Sequence, residues 1–572
     1  MKRTLGILVG LSALGAAACG PAGTGTTTTT TGSGGGGASS SSSSASSGTT
    51  GSGGSGGSSG TGGMGPVAVT VAPGPSKMLT CGTLDLTATV TGTSDHAVTW
   101  SVTPGAIGSI DAMGKYTAPI QVPTPDSVEI TARSAADPTV TGSSTVTLST
   151  TRPGAAVAVS NKMIQEPGVR EHVVAAKGAH VYGVFTSNDP TGSFVYLAAS
   201  TDSGVTWGAP VRVNDNIGDV EAENAVVAVD AADPKVVYVA YKLAAGGGFT
   251  KSKDVNGSSS GGTIVEATST DGGATFTSYV LFSGGNGYGN SIDIVSSGPD
   301  QVVVSMPDFY TMRIYVDTAK GAGFAAGAGN GAWETLGVAS DFTTAHDPAT
   351  TDTFSYIQQN GGSDTSPGSG PRLASDGAGR VCVVYEGGYY STTDFPNGSD
   401  LPYVQCSSDL GKTFAPALAM DTDRAATHAL PTAAFGPNKV VTAVWEQIDA
   451  QAVEHTYLAQ STDGGKTFAP SFEHAPYILP TAIPSAPRLN SVHYEGNTLW
   501  LLYLAYAGGQ NARLIADKSC DGGKTWSRAE LTNGTEGNID DTSYPGFTAT
   551  DKGMIVFGGR DATTLLSVYP IE

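Results

Sequence analysis

The chain has 572 residues, of which 79 are Gly and only 14% are charged, and its formal net charge is −21 at pH 7. A protein this acidic repels other polyanions, so we do not expect nucleic acid among its partners. The high Gly content, the low charge and an apolar content of 39% favour many short strands and turns over helices.

The chain begins like an exported protein. A basic start, Met1-Lys2-Arg3, precedes an apolar run from Leu5 to Ala18 and then Cys19. This order is typical of a signal peptide, and the run is too short to span a bilayer. The end of the run resembles a bacterial lipobox, with Ala16 where Leu is usual. The resemblance implies cleavage before Cys19, lipidation of its thiol, and a location at the outer membrane or cell surface. An ordinary secretory signal is the alternative.

A low-complexity segment follows the signal. Residues 20–65 are almost entirely Gly, Ser, Thr and Ala. Such a stretch cannot bury a core, so we predict a flexible tether with an end-to-end distance of about 35–40 Å.

Short runs of alternating apolar and polar residues occupy residues 66–150, with turn residues between them. This pattern predicts a small β-sandwich, with Trp100 in its core. The runs Val98–Val102 (VTWSV) and Gly114–Pro119 (GKYTAP) resemble segments of bacterial Ig-like domains. The resemblance implies a spacer, and adhesion to glycans is the alternative.

One eight-residue turn, Ser-x-Asp-x-Gly-x-Thr-aromatic, occurs five times between residue 155 and the end of the chain. Asp and Ser side chains hold tight turns by bonding to nearby backbone N–H groups, and Gly adopts backbone conformations closed to other residues. The final Trp or Phe is suited to wedge between neighbouring sheets. We therefore expect a structural role, and the EF-hand calcium pattern is absent. The five aspartates are Asp202, Asp271, Asp409, Asp463 and Asp521.

This turn is an Asp-box and resembles the BNR repeats of sialidases and related β-propellers. The resemblance implies an all-β fold for residues 155–572, built of four-stranded blades (strands A to D) with the Asp-box between C and D. A-strand starts recur near Arg170, Asn224, Asn290, Arg372, Pro431, Arg488 and Tyr544. We therefore predict seven blades rather than the six of sialidases. The last blade lacks strand D, which we expect residues 155–159 to supply.

Four cysteines follow Cys19, and export permits disulfides. Cys382 and Cys406 fall on two strands of one predicted hairpin, where they can face each other, and are a candidate disulfide. Cys81 and Cys520 look like small buried residues.

A ligand site is expected on the face opposite the Asp-boxes, at the mouth of the central channel. Sialidases hold the carboxylate of sialic acid with three arginines, because guanidinium binds carboxylate through two hydrogen bonds. The resemblance implies this role for Arg170, Arg372 and Arg488, which are predicted at equivalent A-strand starts, with Arg513 as an alternative third member. Pairing of these arginines with carboxylates between blades is the competing interpretation.

The nucleophile implied by the resemblance is Tyr544. Sialic acid carries its own carboxylate, which repels an anionic nucleophile, so a neutral Tyr assisted by a Glu suits this substrate. Glu446 or Glu386, at the ends of two B strands, would assist Tyr544, and Asp189 would protonate the leaving oxygen. The sequence departs from the family in two segments: Glu171-His172 replaces Ile-Pro after Arg170, and the Arg-rich segment before Asp189 is missing.

Several function classes follow from this pattern. The resemblance implies an exo-α-sialidase acting on sialoglycoconjugates, or a non-catalytic propeller that binds glycan or a surface protein at the same face. A glycosidase that uses two carboxylates, such as Glu221 and Glu223, is a third alternative. No metal or cofactor motif is present, and we expect no cofactor. We expect a monomer that meets the membrane only through its lipid.

Overall fold

The computed structural model describes the following residues: 65–105, 107–149, 157–159, 173–189, 192–214, 222–243, 262–285, 292–308, 313–320, 337–341, 354–355, 371–389, 399–423, 426–448, 454–474, 487–505, 513–531, 546–561 and 564–571. Near the ends of several strands it describes the backbone alone. Cys19, Arg170, Glu221 and Tyr544 lie outside the described residues, as do the predicted signal peptide and nearly all of the tether. Within the described residues, the secondary structure is β-strand except for a 3-10 turn at Pro437–Lys439. No helix there is long and apolar enough to cross a bilayer.

Residues 65–149 form a small β-sandwich. A four-stranded sheet in the order β2-β9-β8-β5 faces a three-stranded sheet in the order β3-β7-β6, and β1 pairs with β4. Tyr116, Ile130 and Leu148 are buried between the sheets, and Trp100 is half-buried against them. The strands are β1 (Ala68–Ala72), β2 (Ser76–Leu79), β3 (Thr83–Asp85), β4 (Thr87–Thr91), β5 (Val98–Thr103), β6 (Ser109–Ile110), β7 (Lys115–Thr117), β8 (Ser127–Ser134) and β9 (Thr141–Ser149).

The described strands after the sandwich form seven antiparallel sheets, six of which follow the chain order. Sheets one to three are β11 (Val174–Lys177), β12 (His180–Asp189), β13 (Gly192–Ser200) and β14 (Val211–Arg212); β15 (Ala222–Val229), β16 (Val237–Leu243), β17 (Gly262–Ser269) and β18 (Thr277–Gly285); and β19 (Asp293–Gly298), β20 (Gln301–Asp308), β21 (Arg313–Lys320) and β22 (Gly337–Asp341). Sheet four contains β23 (Phe354–Ser355), β24 (Arg372–Ser375), β25 (Val381–Tyr389), β26 (Ser399–Ser407) and β27 (Leu418–Ala419). Sheets five and six are β28 (Thr427–Phe435), β29 (Val441–Ile448), β30 (Glu454–Ser461) and β31 (Phe472–His474); and β32 (Pro487–Glu495), β33 (Thr498–Ala505), β34 (Arg513–Ser519) and β35 (Ser527–Glu530).

The seventh sheet joins the two ends of this domain. It consists of β36 (Gly546–Thr550), β37 (Gly553–Asp561) and β38 (Thr564–Ile571), with β10 (Val157–Ala158) as its outer strand. Val157 pairs with Val568, and Ala158 pairs with Ser567. The strand that the C-terminal residues lack is therefore supplied from the N-terminal side, as the sequence predicts.

The innermost strands of all seven sheets surround one central channel. They line a cavity of about 320 Å³, and most of the lining side chains are small. One lining residue from each sheet, in order, is Ala176, Ala228, Val295, Ala374, Ala434, His493 and Thr548. Meander sheets arranged radially around a channel are the arrangement of a β-propeller.

The five Asp-boxes contain the same hydrogen bonds, which the box at Ser407–Phe414 illustrates. The Ser407 hydroxyl donates to Asp409 (2.7 Å) and accepts from the Gly411 N–H (2.9 Å). Asp409 accepts from the Thr413 N–H (2.9 Å) and from the Thr413 hydroxyl (2.6 Å). The Asp oxygens are thus bonded within their own turn. In the first box these hydrogen bonds lower the pKa of Asp202 to about 2.

Each Asp-box lies beside the turn between the first two strands of its own sheet. The Leu410 N–H donates to the Gly379 carbonyl oxygen (2.9 Å), and the Gly464 N–H donates to that of Lys439 (3.0 Å). The aromatic residue ending each box packs toward a neighbouring sheet; the Trp207 and Phe557 rings, for example, lie 5.6 Å apart. The Asp-boxes therefore occupy one face of the propeller, and the first strands begin at the opposite face.

Two disulfides occur among the described residues. Cys382 and Cys406 are directly paired across β25 and β26 and are bonded to each other. Cys81 and Cys520 are bonded as well, 439 residues apart in the chain. Our expectation that these two are small buried residues was wrong, because both are half-buried and joined. Their pairing depends on how the two domains pack, which no sequence spacing encodes.

The serine of an Asp-box is expected to stabilise the propeller. Ser407→Ala removes the acceptor for the buried Gly411 N–H, so the free energy of unfolding should fall by about 1–3 kcal/mol. Urea unfolding followed by tryptophan fluorescence measures this loss. Ser408→Ala, an exposed position of the same turn, is the matched control and should change stability by less than about 0.5 kcal/mol. Equal effects of both variants would contradict a structural role for the box.

Candidate functional site

Glu386 and Glu446 occupy equivalent positions in sheets four and five. Val381 pairs with Ser407, the first residue of its Asp-box, and Glu386 lies five residues after Val381. Val441 pairs with Ser461 in the same way, and Glu446 lies five residues after Val441. Thr186 and Lys242 hold the same position in sheets one and two, by the same register. The propeller repeat therefore does not itself require a carboxylate at this place.

Glu386 is buried between sheets four and five. Val384, two residues earlier on the same side of β25, packs in the core between these sheets. The Glu386 Oε1 atom accepts a hydrogen bond from the Leu430 N–H at 2.8 Å. Leu430 has a φ of 53° and lies in a bulge between Ala429 and Thr432. The carboxylate thus satisfies a backbone group that the bulge withdraws from the strand pairing.

Glu446 enters a different cleft. Val444, on the same side of β29, packs against Val492 and Leu499 of sheet six, so Glu446 faces sheet six. Its side chain is also buried. The two glutamates proposed from the sequence as alternatives thus lie in two successive clefts between sheets.

Arg372 shares the side of sheet four that carries Glu386. It pairs directly with Val384, and directly opposed residues project to the same side of a sheet. Arg372 is only 6% exposed. A buried guanidinium needs an acidic partner, and Glu386 is its diagonal neighbour on this side, at about 7–8 Å between Cα atoms. This placement favours the interpretation that the arginine pairs with a carboxylate between sheets.

Arg372 and Arg488 are not equivalent, contrary to the sequence prediction. Arg372 pairs with Val384. Val384 lies three positions after Val381, the residue that pairs with the Asp-box serine Ser407. Arg488 pairs with Leu504, five positions after the corresponding Leu499. β24 begins at Arg372, whereas β32 begins at Pro487, which pairs with Ala505 six positions after Leu499, so the two sequences cannot be aligned by strand starts alone.

A second carboxylate joins sheets three and four. Asp293 accepts from the Leu373 N–H of the next sheet (2.7 Å) and from the Ile294 N–H (3.0 Å). The Asp293 and Glu386 contacts follow one scheme: an acid on one sheet holds the first strand of the next. Buried acids near this face therefore stabilise the contacts between sheets.

A polar cluster surrounds the Glu386 contact and includes the loop between sheets four and five. His428 pairs with Gln447 across two strands, and both are buried. His428 Nε2 lies 3.2 Å from Asp421 Oδ2, and Gln447 Nε2 lies 3.4 Å from Asp423 Oδ2. Burial raises the pKa of Asp421, but hydrogen bonds from His428 and from two backbone N–H groups outweigh it and lower the pKa overall. Asp423 reaches the surface, so this cluster connects the cleft with solvent.

Two buried atoms in the same cleft lack a hydrogen-bond partner among the described residues. They are Nε1 of Trp445 and Oε1 of Gln447. Trp445 and Gln447 lie on one side of β29, toward sheet four. The sequence did not single out His428, Gln447 or Asp423, because each role depends on contacts across sheets. No group of three or more His, Cys, Asp or Glu side chains suited to a metal occurs in the part of the chain that the structure describes.

The backbone alone is described at the other predicted positions. Asp189 ends β12 and pairs with Gly192 at the tip of a hairpin. Arg488 and Arg513 flank β33, opposite the adjacent residues Leu504 and Ala505. Glu223 pairs with Lys242. Asp189, Arg488 and Arg513 thus lie at the edge opposite the Asp-boxes, where the sequence analysis placed them.

Glu266 is a buried acid that the sequence analysis missed. It lies on β17 opposite Ala240, in the core between sheets two and three. The Thr268 hydroxyl donates to its Oε1 at 2.7 Å, and its Oε2 has no partner among the described residues. Burial raises the pKa of Glu266 to about 8, so the folded protein holds it protonated at neutral pH.

Comparisons with known proteins give only remote similarities. No protein-family model and no curated protein matches the chain. An ulvan lyase of polysaccharide lyase family PL25 is 11% identical, with a TM-score of 0.45 over 73% of this chain and 96% of that one. A Dyadobacter fermentans protein of unknown function is 14% identical, with a TM-score of 0.40 over 74% and 99%. The NanB sialidase from Streptococcus pneumoniae is 10% identical, with a TM-score of 0.34 over 73% and 70%.

The contact between Glu386 and Leu430 is expected to be structural. Glu386→Ala leaves the Leu430 N–H without an acceptor, so the free energy of unfolding should fall by about 1–3 kcal/mol in urea unfolding. Glu386→Gln keeps an oxygen at this position and should cost less. If both variants lose the same stability, the charge beside Arg372 matters more than the hydrogen bond.

Glu266 is expected to make the protein less stable as the pH rises. The unfolded chain loses this proton near pH 4.5, whereas the folded protein keeps it to about pH 8. Between these values the folded state binds the extra proton, so the free energy of unfolding should fall by up to about 1.4 kcal/mol per pH unit. Glu266→Gln should remove this slope when urea unfolding is measured from pH 5 to pH 8. Superimposable profiles for the variant and the unchanged protein would contradict the prediction.

Proposed function

We propose that this chain is an exported lipoprotein whose seven-bladed propeller binds glycan without cleaving it. In this proposal Cys19 carries the lipid, residues 20–65 are the tether, and the Ig-like sandwich is the spacer. The ligand binds at the face opposite the Asp-boxes, near the loop that carries Asp421 and Asp423.

The contact between Glu386 and Leu430 carries this proposal. A sialidase needs a free carboxylate beside its Tyr nucleophile and arginines that reach the substrate. Glu386 is instead bonded to the backbone of the next sheet, and Arg372 is buried on the same side of β25. Binding needs neither group to be free. It needs polar groups at the surface, which Asp423 and its neighbours provide.

Sialidase activity is the second candidate. It is favoured by the Asp-box resemblance, by the position of Asp189 at the end of β12, and by Glu446, which lies in a different cleft from Arg372. Tyr544 would attack the sugar, and Arg170, Arg488 and Arg513 would hold its carboxylate. The chain lacks the Arg-rich segment before Asp189, which counts against this candidate.

Hydrolysis and binding measured on the full chain separate the two functions. We expect no release of the fluorophore from a fluorogenic sialoside, and we expect saturable binding of lactose or sialyllactose by calorimetry. Tyr544→Phe should leave the binding affinity unchanged. Hydrolysis that Tyr544→Phe abolishes would overturn the proposal and establish the sialidase.

The binding face is tested with a pair of surface variants. Asp423→Ala should weaken binding about tenfold, the equivalent of about 1.4 kcal/mol. Lys466→Ala, an exposed position in the Asp-box at Ser461–Phe468, should leave it unchanged. The reverse result would place the ligand on the Asp-box face.

A further inference from the structure

The sandwich and the propeller meet at a contact beside the Cys81–Cys520 disulfide. Cys81 lies in the turn between β2 and β3, and Cys520 lies in the fifth Asp-box. Beside the disulfide, Lys518 Nζ donates a hydrogen bond to the Thr80 carbonyl oxygen at 3.0 Å. Lys518 and Thr80 are both buried. The contact therefore excludes water at its centre.

Lys518 shows how closely the sandwich covers this end of sheet six. Its Nζ lies 5.6 Å from the centre of the Trp500 ring. Burial lowers the pKa of Lys518 to about 8. An ammonium group is normally solvated, and burying one is favourable only where a fixed acceptor replaces water. The Thr80 carbonyl is that acceptor, so the contact is specific in geometry.

The strand order shows at which end the chain enters the sandwich and at which end it leaves. β2 runs parallel to β9, and the Thr80 N–H donates to the Ser149 carbonyl oxygen at 3.0 Å. The chain therefore leaves the sandwich beside Cys81 and the propeller. It enters at the other end, because Val69 in β1 packs against Gly142 at the start of β9. A nine-residue strand separates these ends by about 30 Å.

We propose that the sandwich is a rigid pedestal, fixed to the Asp-box end of sheet six by the Cys81–Cys520 disulfide and the Lys518–Thr80 hydrogen bond. The chain then enters the pedestal at the end away from the disulfide, and the face opposite the Asp-boxes lies on the far side of the propeller from the pedestal. The pedestal does not rest on the proposed function.

The disulfide is tested first on the unchanged full chain. Peptide mass spectrometry after alkylation without reduction should recover Cys81 and Cys520 in one linked pair. Recovery of both as alkylated free thiols would overturn the proposal. This measurement involves no variant, so folding of a variant does not affect it.

The rigidity is tested by hydrogen exchange and small-angle scattering of a Cys81→Ser/Cys520→Ser variant. Amides of residues 80–82 and 518–521 should exchange about tenfold faster or more, and the radius of gyration should increase. A Cys382→Ser/Cys406→Ser variant, which loses the disulfide within sheet four, is the matched control and should leave both readouts unchanged. Unchanged exchange and radius in the first variant would overturn the pedestal. Neither measurement involves glycan or membrane, so failure of glycan binding would leave this result intact.

Discussion

The structure depends on side-chain oxygens that satisfy backbone N–H groups where the strand pairing is interrupted. A β-meander leaves such groups at its turns and bulges, and a buried N–H without an acceptor costs about 1–3 kcal/mol. The Asp-box supplies acceptors for such N–H groups within eight residues. The Ser407 hydroxyl, for example, accepts from the Gly411 N–H. Between sheets, Glu386 does the same for Leu430 in the bulge of β28, and Asp293 accepts from the Leu373 N–H of the regular strand β24. The turns close each sheet, and the carboxylates hold one sheet to the next.

A carboxylate that holds a backbone N–H in this way is less able to act as a general base. A general base must exchange protons with a substrate, and an acid whose oxygen is bonded to a buried backbone N–H is held in one place by that bond. Glu386 is in that position. A Glu at this repeat position therefore fits the sequence pattern expected of a catalytic residue and also fits a structural role. Only the partner of the carboxylate distinguishes the two, and here the partner is the backbone of the neighbouring sheet.

Features set by local spacing were predictable from the sequence, and features set by packing were not. The Asp-box bonds join residues two to four positions apart, so the motif itself specifies them. The missing last strand was predictable because three strands precede the chain end without a fourth. The Cys81–Cys520 bridge spans 439 residues and depends on the docking of two domains. Arg372 and Arg488 looked equivalent because each follows a Pro near a strand start, but β32 extends further from the Asp-boxes than β24 does.

Charge narrows the class of glycan that would suit the proposed binding face. The net charge of −21 disfavours an anionic sugar at long range. Near the loop at Asp421, the carboxylates of Asp421 and Asp423 add to that repulsion, whereas Arg372 and Glu386 are both buried on one side of sheet four. A carboxylate-bearing sugar would therefore have to be held by Arg170, Arg488 and Arg513 despite this electrostatic repulsion. A neutral sugar would meet no such opposition, because its hydroxyls can donate to the exposed Asp423 carboxylate. Stronger binding of lactose than of sialyllactose, with the difference shrinking as salt is added, is the pattern that this electrostatic argument requires.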